Sequence, residues 1–367
     1  MSDELEVAGW GELLEEIIQN KFAPTRTMRL LNRHWCRAIS ARMRKLAVPP
    51  EFVSRSYRRF CKVEVLSIDG WYFADDHCMH LENWTHVVDL NLCDTTVGNA
   101  GCQHLGRLSN LTSLNLGGTS ISNDGCQSLT DLASLTKLDV SRTSVGNDGC
   151  RFLECLVGLN ALHLHGTHVG DVGCGHLERL TNLTELDVGM STVNQNTHGR
   201  SVSDTGCEIL GNLPKLRKLR LRCTRVGATG CHFLTKLSNL QELDLYGTSV
   251  GDFGCRGLQQ LTRLTKLDVG LTKLGNEVCE YMTRMTNLSV LNMESTPVRD
   301  PGCMHLAGIP NLAQLNLQGT RVGDNGLDVL IGNTSLTLLD VRRTRVSSPK
   351  AQCIQDEHPF RDLTLHA

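Results

Sequence analysis

One interval dominates the sequence. An apolar frame of the form Leu-x-x-Leu-x-Leu returns at Val63, Val87, Leu111, Leu135, Leu159, Leu183, Leu216, Leu240, Leu264, Leu288, Leu312, Leu336 and Phe360, which makes thirteen units. Eleven of the twelve spacings are 24 residues, and the exception, 33 residues from Leu183 to Leu216, leaves one unit with nine extra residues at about 194–202. So short a unit cannot bury its own apolar face and must stack on its neighbours, which confines the chain to a repeat array.

Each column of the repeat has a physical reading. Apolar residues at positions 1, 4 and 6, such as Leu135, Leu138 and Val140, alternate with polar ones as in a short strand with one face inward. Position 9 is Thr from Thr95 to Thr344 in ten units, a hydroxyl placed to bond the backbone of the turn that leaves the strand. Position 13 is Asn or Asp in most units, for example Asn123, Asn147 and Asp171, and these residues are expected to cap a short helix that starts there. The helix runs through Gly-Cys into Leu-x-x-Leu, as in residues 125–132, with both Leu facing inward.

Ten of the sixteen cysteines share the column after that Gly: Cys78, Cys102, Cys126, Cys150, Cys174, Cys207, Cys231, Cys255, Cys279 and Cys303. Neighbouring strands lie about 4.8 Å apart, so the thiols form a row without tetrahedral convergence, and packing as small buried hydrophobes is the expectation. The other six form no Cys-x-x-Cys pair, and no metal or cofactor is expected. With 34 Gly, 9 Pro and only 4% aromatic residues, the composition suits many small, similar turns. The formal charge of -2 excludes a generally basic nucleic-acid binder. No apolar run approaches the ~20 residues of a membrane span, and residues 1–7 are acidic without an apolar export segment. A soluble intracellular, cytoplasmic protein with reduced thiols is the expectation.

Residues 63–367 resemble the leucine-rich-repeat superfamily, and the Thr-x-Val-x-Asp-x-Gly-Cys variant is similar to arrays common in trypanosomatid proteins. The resemblance implies an α/β solenoid, a curved horseshoe of thirteen units with parallel strands on the concave face and short helices on the convex face. It also implies a protein partner held on the concave face.

In that geometry positions 3, 5 and 7 point into the concavity. Position 5 is an Asn/Asp stripe interrupted by His163 and Arg220. Around the interruption gather His165, Arg222, Glu185, Asp187, Glu242, Asp244 and Tyr246, and the nine-residue excess falls in the same central unit. These nine residues are the candidate partner-binding set, because irregularities on an exposed face of a regular array mark specificity. His163 and His165 share a strand face, but no third convergent ligand is assured, so no metal is expected. No catalytic order or phosphate loop rises above the repeat, and the chain is expected not to be an enzyme.

Residues 1–62 read differently. Trp10, Leu13, Leu14, Ile17 and Ile18 follow helical spacing, a turn comes at 22–25, and Met28, Leu31, Trp35, Ile39 and Met43 keep helical spacing as far as Leu46 before Pro49-Pro50. Residues 21–62 hold twelve Lys/Arg and one acid, against 25 basic and 32 acidic residues in 63–367. The stretch from Trp10 to Ile39, an apolar helix, a short turn and an aromatic, basic helix, resembles an F-box. The Leu-Pro that usually opens that motif is replaced by Gly11-Glu12. The resemblance implies that Leu13, Leu14, Ile17, Phe22, Leu30, Leu31 and Trp35 meet a Skp-family adaptor, with a cullin beyond it, so that the chain would be the substrate receptor of an SCF-type ubiquitin ligase. The alternative is a helical cap on the open end of the solenoid, in a structural or scaffold protein of a cytoskeletal or organellar assembly. Neither nucleic acid nor membrane is an expected partner.

Overall fold

The computed structural model describes residues 45–47, 63–68, 72–190, 201–357 and 364–366. Among these, fourteen three-residue strands form one parallel sheet in sequence order. From Val65–Ser67 to Leu338–Asp340 each strand covers positions 3–5 of its unit, as in Ser113–Asn115 and Lys137–Asp139, with Leu114 paired to Leu138. Leu135, Leu138 and Val140 are fully buried, as the alternation requires. Opposite the sheet stands a row of short helices, most of them seven residues long, such as Asn147–Leu153 and Asp171–Leu177. The helix Asn123–Ser128 ends before Leu129, and Leu132 is buried from the turn that follows rather than from a helical turn.

The two ends differ from the thirteen-unit frame. Lys45–Ala47 is a strand, paired in parallel with Val65–Ser67, where helical spacing predicts a helix as far as Leu46. Pairing to the open edge of the sheet outweighs a three-residue helical propensity. At the other end the strand is Thr364–His366, with Leu365 opposite Leu339, two residues beyond the frame that starts at Phe360. Leu363 and Leu365 both satisfy a period of two, and the longer helix Ser348–Glu357 displaces the strand along the chain. The apolar helical positions from Trp10 to Ile39 lie outside the described residues.

Three columns recur as ladders along the stack. The Thr column hydroxyls each donate to the backbone oxygen three residues earlier, at 2.5–2.7 Å, from Thr95 to Leu92 through Thr344 to Val341. The Asn/Asp column caps helices, but not its own. Asn123 Oδ1 accepts the backbone N–H of Gly146 at 2.7 Å and of Gly149 at 3.0 Å, both at the start of the next helix. Asn147 does the same for Gly170 and Gly173, and Asp171 for Ser203 and Gly206. The capping residue is itself the first residue of its helix, so its side chain reaches the neighbouring N-terminus rather than its own.

The cysteines form the third ladder. All ten in the column are buried to 2% exposure or less, and burial pushes the thiols of Cys126, Cys279 and Cys303 up to about 12. The preceding Gly is fixed by space: a Cβ on Gly149 would stand 2.7 Å from Val145 Cγ1, 2.9 Å from Asn123 Oδ1 and 3.4 Å from Cys126 Sγ. In native protein a bulky thiol reagent should therefore label the exposed Cys155 and Cys353 and leave Cys126, Cys150 and Cys174 untouched until unfolding. Rapid native labelling of those three would contradict their burial. Cys126→Ser should cost about 1–3 kcal/mol through a buried hydroxyl without a partner, and Cys126→Ala less.

Candidate functional site on the concave face

The Asn/Asp stripe at position 5 has a structural task. Asn91, Asn115, Asp139, Asp187, Asp244, Asp268, Asn292, Asn316 and Asp340 each accept the backbone N–H two residues on, at 2.8–3.1 Å, closing the turn that leaves the strand. His163 and Arg220 carry no such acceptor. Their side chains are free to reach along the sheet, and both go to the same carboxylate: Arg220 Nη1 lies 2.7 Å from Glu185 Oε1 and His163 Nε2 3.3 Å from it. That His163 contact is out of line for a hydrogen bond, and the buried Nε2 has no hydrogen-bond partner. On its other side His163 Nδ1 is 3.4 Å from Asp139 Oδ2. The run Asp139, His163, Glu185, Arg220 therefore crosses four strands as an alternation of charge.

The remaining candidates fall into smaller groups beside it. His165 Nδ1 is 3.8 Å from Asp187 Oδ1. Glu242 is held between Lys218 at 3.6 Å and Lys266 at 3.5 Å. Arg222 lies over the Tyr246 ring at 3.8 Å, and the ring in turn approaches Gly270, where a Cβ would be only 2.8 Å from Cδ2. Lys218 and Lys266 belong to the same surface and escape the sequence reading, while Asp139 and Asp268 are read there only as members of the Asn/Asp stripe. They sit at ordinary positions 3 and 5 of their units, and only the strand register places them beside Glu242, His163 and Asp244. Residues 194–202 include only two described residues, Ser201 and Val202, both buried, and the rest of the insertion lies outside the described residues.

These neighbours set the protonation of the patch. Hydrogen bonding to Asp139 raises His163 above its ordinary value against the opposing effect of burial, with the charges of Asp139, Glu185 and Asp187 adding to it. Burial acts to raise Glu185, but Arg220 and then His163 hold its carboxyl below the usual range. Asp244 goes the other way: burial, together with Asp268 and Asp187, outweighs the Tyr246 N–H and Arg222 and pushes it up to about 6. A carboxyl whose folded value lies above its unfolded one penalises folding once it ionises. The penalty is complete above about pH 6 and is relieved as pH falls toward 4. Asp244→Asn keeps the turn acceptor, as Asn292 and Asn316 do, and should raise stability at pH 7.5 by on the order of 2 kcal/mol. The gain, read by urea unfolding, should shrink steadily down to pH 4.5; an unchanged midpoint at pH 7.5 would refute it. His163, also raised, contributes stability that is present below its unfolded value and lost as pH rises through the folded one.

Among the described residues no group of three His, Cys, Asp or Glu is placed to hold a metal, and no helix is long and apolar enough to cross a membrane. No curated protein matches the sequence. Solved structures of similar shape include an internalin, InlF, of Listeria monocytogenes (18% identity, 98% of this chain and 94% of that one, TM-score 0.56). A leucine-rich-repeat protein of Leptospira interrogans aligns at 16% identity over 88% of this chain and 82% of that one, with TM-score 0.53. The mouse RP105/MD-1 complex aligns at 15% identity over 88% of this chain and 57% of that one, with TM-score 0.57. At such identities the likeness is one of fold. The family described as "Leucine-rich repeat region" matches residues 65–348, the same span in which the strand, the Thr turn and the Asn/Asp cap recur unit after unit, and the chain belongs to the leucine-rich-repeat family.

Proposed function

We propose that the protein is a non-enzymatic interaction protein that holds a protein partner against the middle of its concave face. The observation that carries this reading is the replacement of the turn-closing Asn/Asp by His163 and Arg220, which turns a structural stripe into a charged surface running from Asp139 to Tyr246. The patch offers acids, bases and an aromatic ring within a few strands, the mixture that protein interfaces use for orientation and selectivity. One of the similar solenoids, mouse RP105, is seen in complex with MD-1. A partner recovered by crosslinking and then purified should bind the Arg220→Ala, Arg222→Ala double variant at least about tenfold more weakly, a loss of about 1.4 kcal/mol. Deleting residues 194–202 restores the 24-residue spacing, so the fold should persist while binding falls. Binding unaltered in both variants would remove the central patch from consideration.

The finer reading makes the chain a substrate receptor of an SCF-type ligase, with Leu13, Leu14, Ile17, Phe22, Leu30, Leu31 and Trp35 meeting a Skp-family adaptor. It is supported by the order of helically spaced apolar and aromatic positions in the sequence over about 40 residues and by their place ahead of the repeats. Direct mixing of full-length protein with a purified Skp-family adaptor tests it. Absence of a complex would leave the scaffold reading, in which the same concave face joins an assembly.

A further inference from the structure

The cap ladder runs unbroken from Asp75 to Asp204, until the unit that begins at Leu216. There Ala228 stands in a column that is otherwise Asn or Asp from Asp75 to Asp324. It offers no oxygen to the next helix, which runs only over Asp252–Cys255 and continues as a tighter 3-10 turn over Arg256–Gln260. The backbone has closed into the missing side chain's space: a Cβ on Gly254 would lie 2.6 Å from Ala228 Cα. In the following unit Val278 replaces the column glycine, so two departures from the repeat bracket this short helix.

The consequence is a groove of about 490 Å³ on the convex face, lined by Ala228, Thr229, His232, Phe253, Arg256 and Gln260 among others. Phe253 is 84% exposed, the most exposed of the large apolar side chains among the described residues. At the same position most other units carry small or polar residues such as Asp124, Asp148, Thr205 or Glu277, and the one other large apolar residue there, Val172, is 66% exposed.

The charge of the groove is one-sided. Its lining holds Arg256 and His232 and no carboxylate. Elsewhere on this face cations meet a Glu of the preceding unit, His104 and Arg107 with Glu82, and His176 and Arg179 with Glu154. Arg256 lies instead over the Tyr281 ring at 5.3 Å, and His232 leans on Phe233. The nearest acid in sequence, Asp252, is committed to the Gly275 N–H at 2.6 Å.

We propose that this groove is a second docking surface, which takes a partner segment presenting one aliphatic or aromatic side chain with carboxylates beside it. The apolar chain fills the space between Ala228 and Phe253, and the carboxylates meet Arg256 and His232. The surface lies on the opposite side of the solenoid from the concave patch and does not depend on it.

The probes are fluorescein-labelled decapeptides with a central Phe, Leu or Trp followed by two Glu, with matched peptides in which Lys replaces Glu or Ala replaces the apolar residue. Each is titrated against full-length protein by anisotropy. The best apolar–acidic peptide should bind at least about tenfold more tightly than its Lys counterpart and its Ala counterpart. Phe253→Ser and Arg256→Glu should each remove that preference, while Arg220→Ala leaves it intact. Ala228→Asp restores the capping oxygen, so thermal stability should hold or rise while peptide affinity falls at least about tenfold. Loss of binding in a protein that is no less stable separates a closed groove from an unfolded one. Equal affinity for the Glu and Lys peptides, undiminished affinity in the Ala228→Asp protein, or no binding by any peptide at millimolar concentration would each overturn the proposal. So would concentration-dependent self-association in sedimentation that Phe253→Ser abolishes, because the groove would then be covered by a second copy of this chain.

Discussion

Asn123→Ala should lower the stability of the solenoid by about 2–4 kcal/mol, far beyond the cost of an ordinary surface substitution. The reason is positional. Asn123 Oδ1 accepts two N–H groups, those of Gly146 and Gly149, at 2.7 and 3.0 Å, and both lie at the start of the next helix, where no intrahelical partner exists. Removing it leaves two donors without their acceptor at the junction between two units, and in a stacked array the junction energy is what holds neighbours together. Gly149→Ala attacks the same junction from the other side. In an exposed helix the change would stabilise by about 1 kcal/mol, but here the new methyl meets Val145 Cγ1 at 2.7 Å and Asn123 Oδ1 at 2.9 Å. A net loss of about 2–3 kcal/mol is expected. The two effects share one contact, so the double variant should lose at least about 1 kcal/mol less than the sum. Urea unfolding of the four proteins measures the cycle. Additivity within error, or a change below 0.5 kcal/mol for Asn123→Ala, would show that the ladder does not join the units.

The same junction shows where sequence reading succeeds and where it stops. The period, the inward faces and the row of thiols are legible because each follows from one residue's chemistry repeated at one spacing; Leu138, Thr143 and Cys150 behave as their columns imply. The direction of the cap is not legible. The sequence does not show that the helix already starts at Asn123, which frees its oxygen to cap the next helix rather than its own. The position 5 stripe misleads in the same manner: alone it resembles a binding surface, yet Asn91 and Asn316 spend their oxygens on turns. The residues that interrupt it, His163 and Arg220, are visible in the sequence, whereas Lys218 and Lys266 become neighbours of Glu242 only through register. Ala228 is visible as an irregularity too. That it shortens a helix and opens a groove beside Phe253 depends on how far a backbone can follow a missing side chain, which no column records.

Removing residues 1–50 should have the largest effect of any terminal change, because it takes away the strand Lys45–Ala47 and with it the parallel partner of Val65–Ser67. The freed edge adjoins Val63, Leu66 and Ile68, all buried to 1% exposure or less, and an open parallel edge above an apolar face invites aggregation and fraying. A melting temperature lowered by roughly 5 °C or more is expected, with the Ile68 amide, which donates to the Asn91 oxygen at 2.9 Å, exchanging far faster than in the intact chain. Removing only residues 1–40 keeps the strand, and this cut separates the two readings of the N-terminal module. If Trp35 and Ile17 belong to a cap, the shorter cut already lowers the melting temperature. If they belong to an adaptor contact, the array melts as before and only the complex with a Skp-family adaptor is lost, and Leu13→Asp in the full-length chain reproduces that loss without loss of stability. A protein lacking residues 1–50 that melts and exchanges like the intact chain would show that the strand Lys45–Ala47 protects nothing, and the sheet edge would then have to be covered by residues after Pro50.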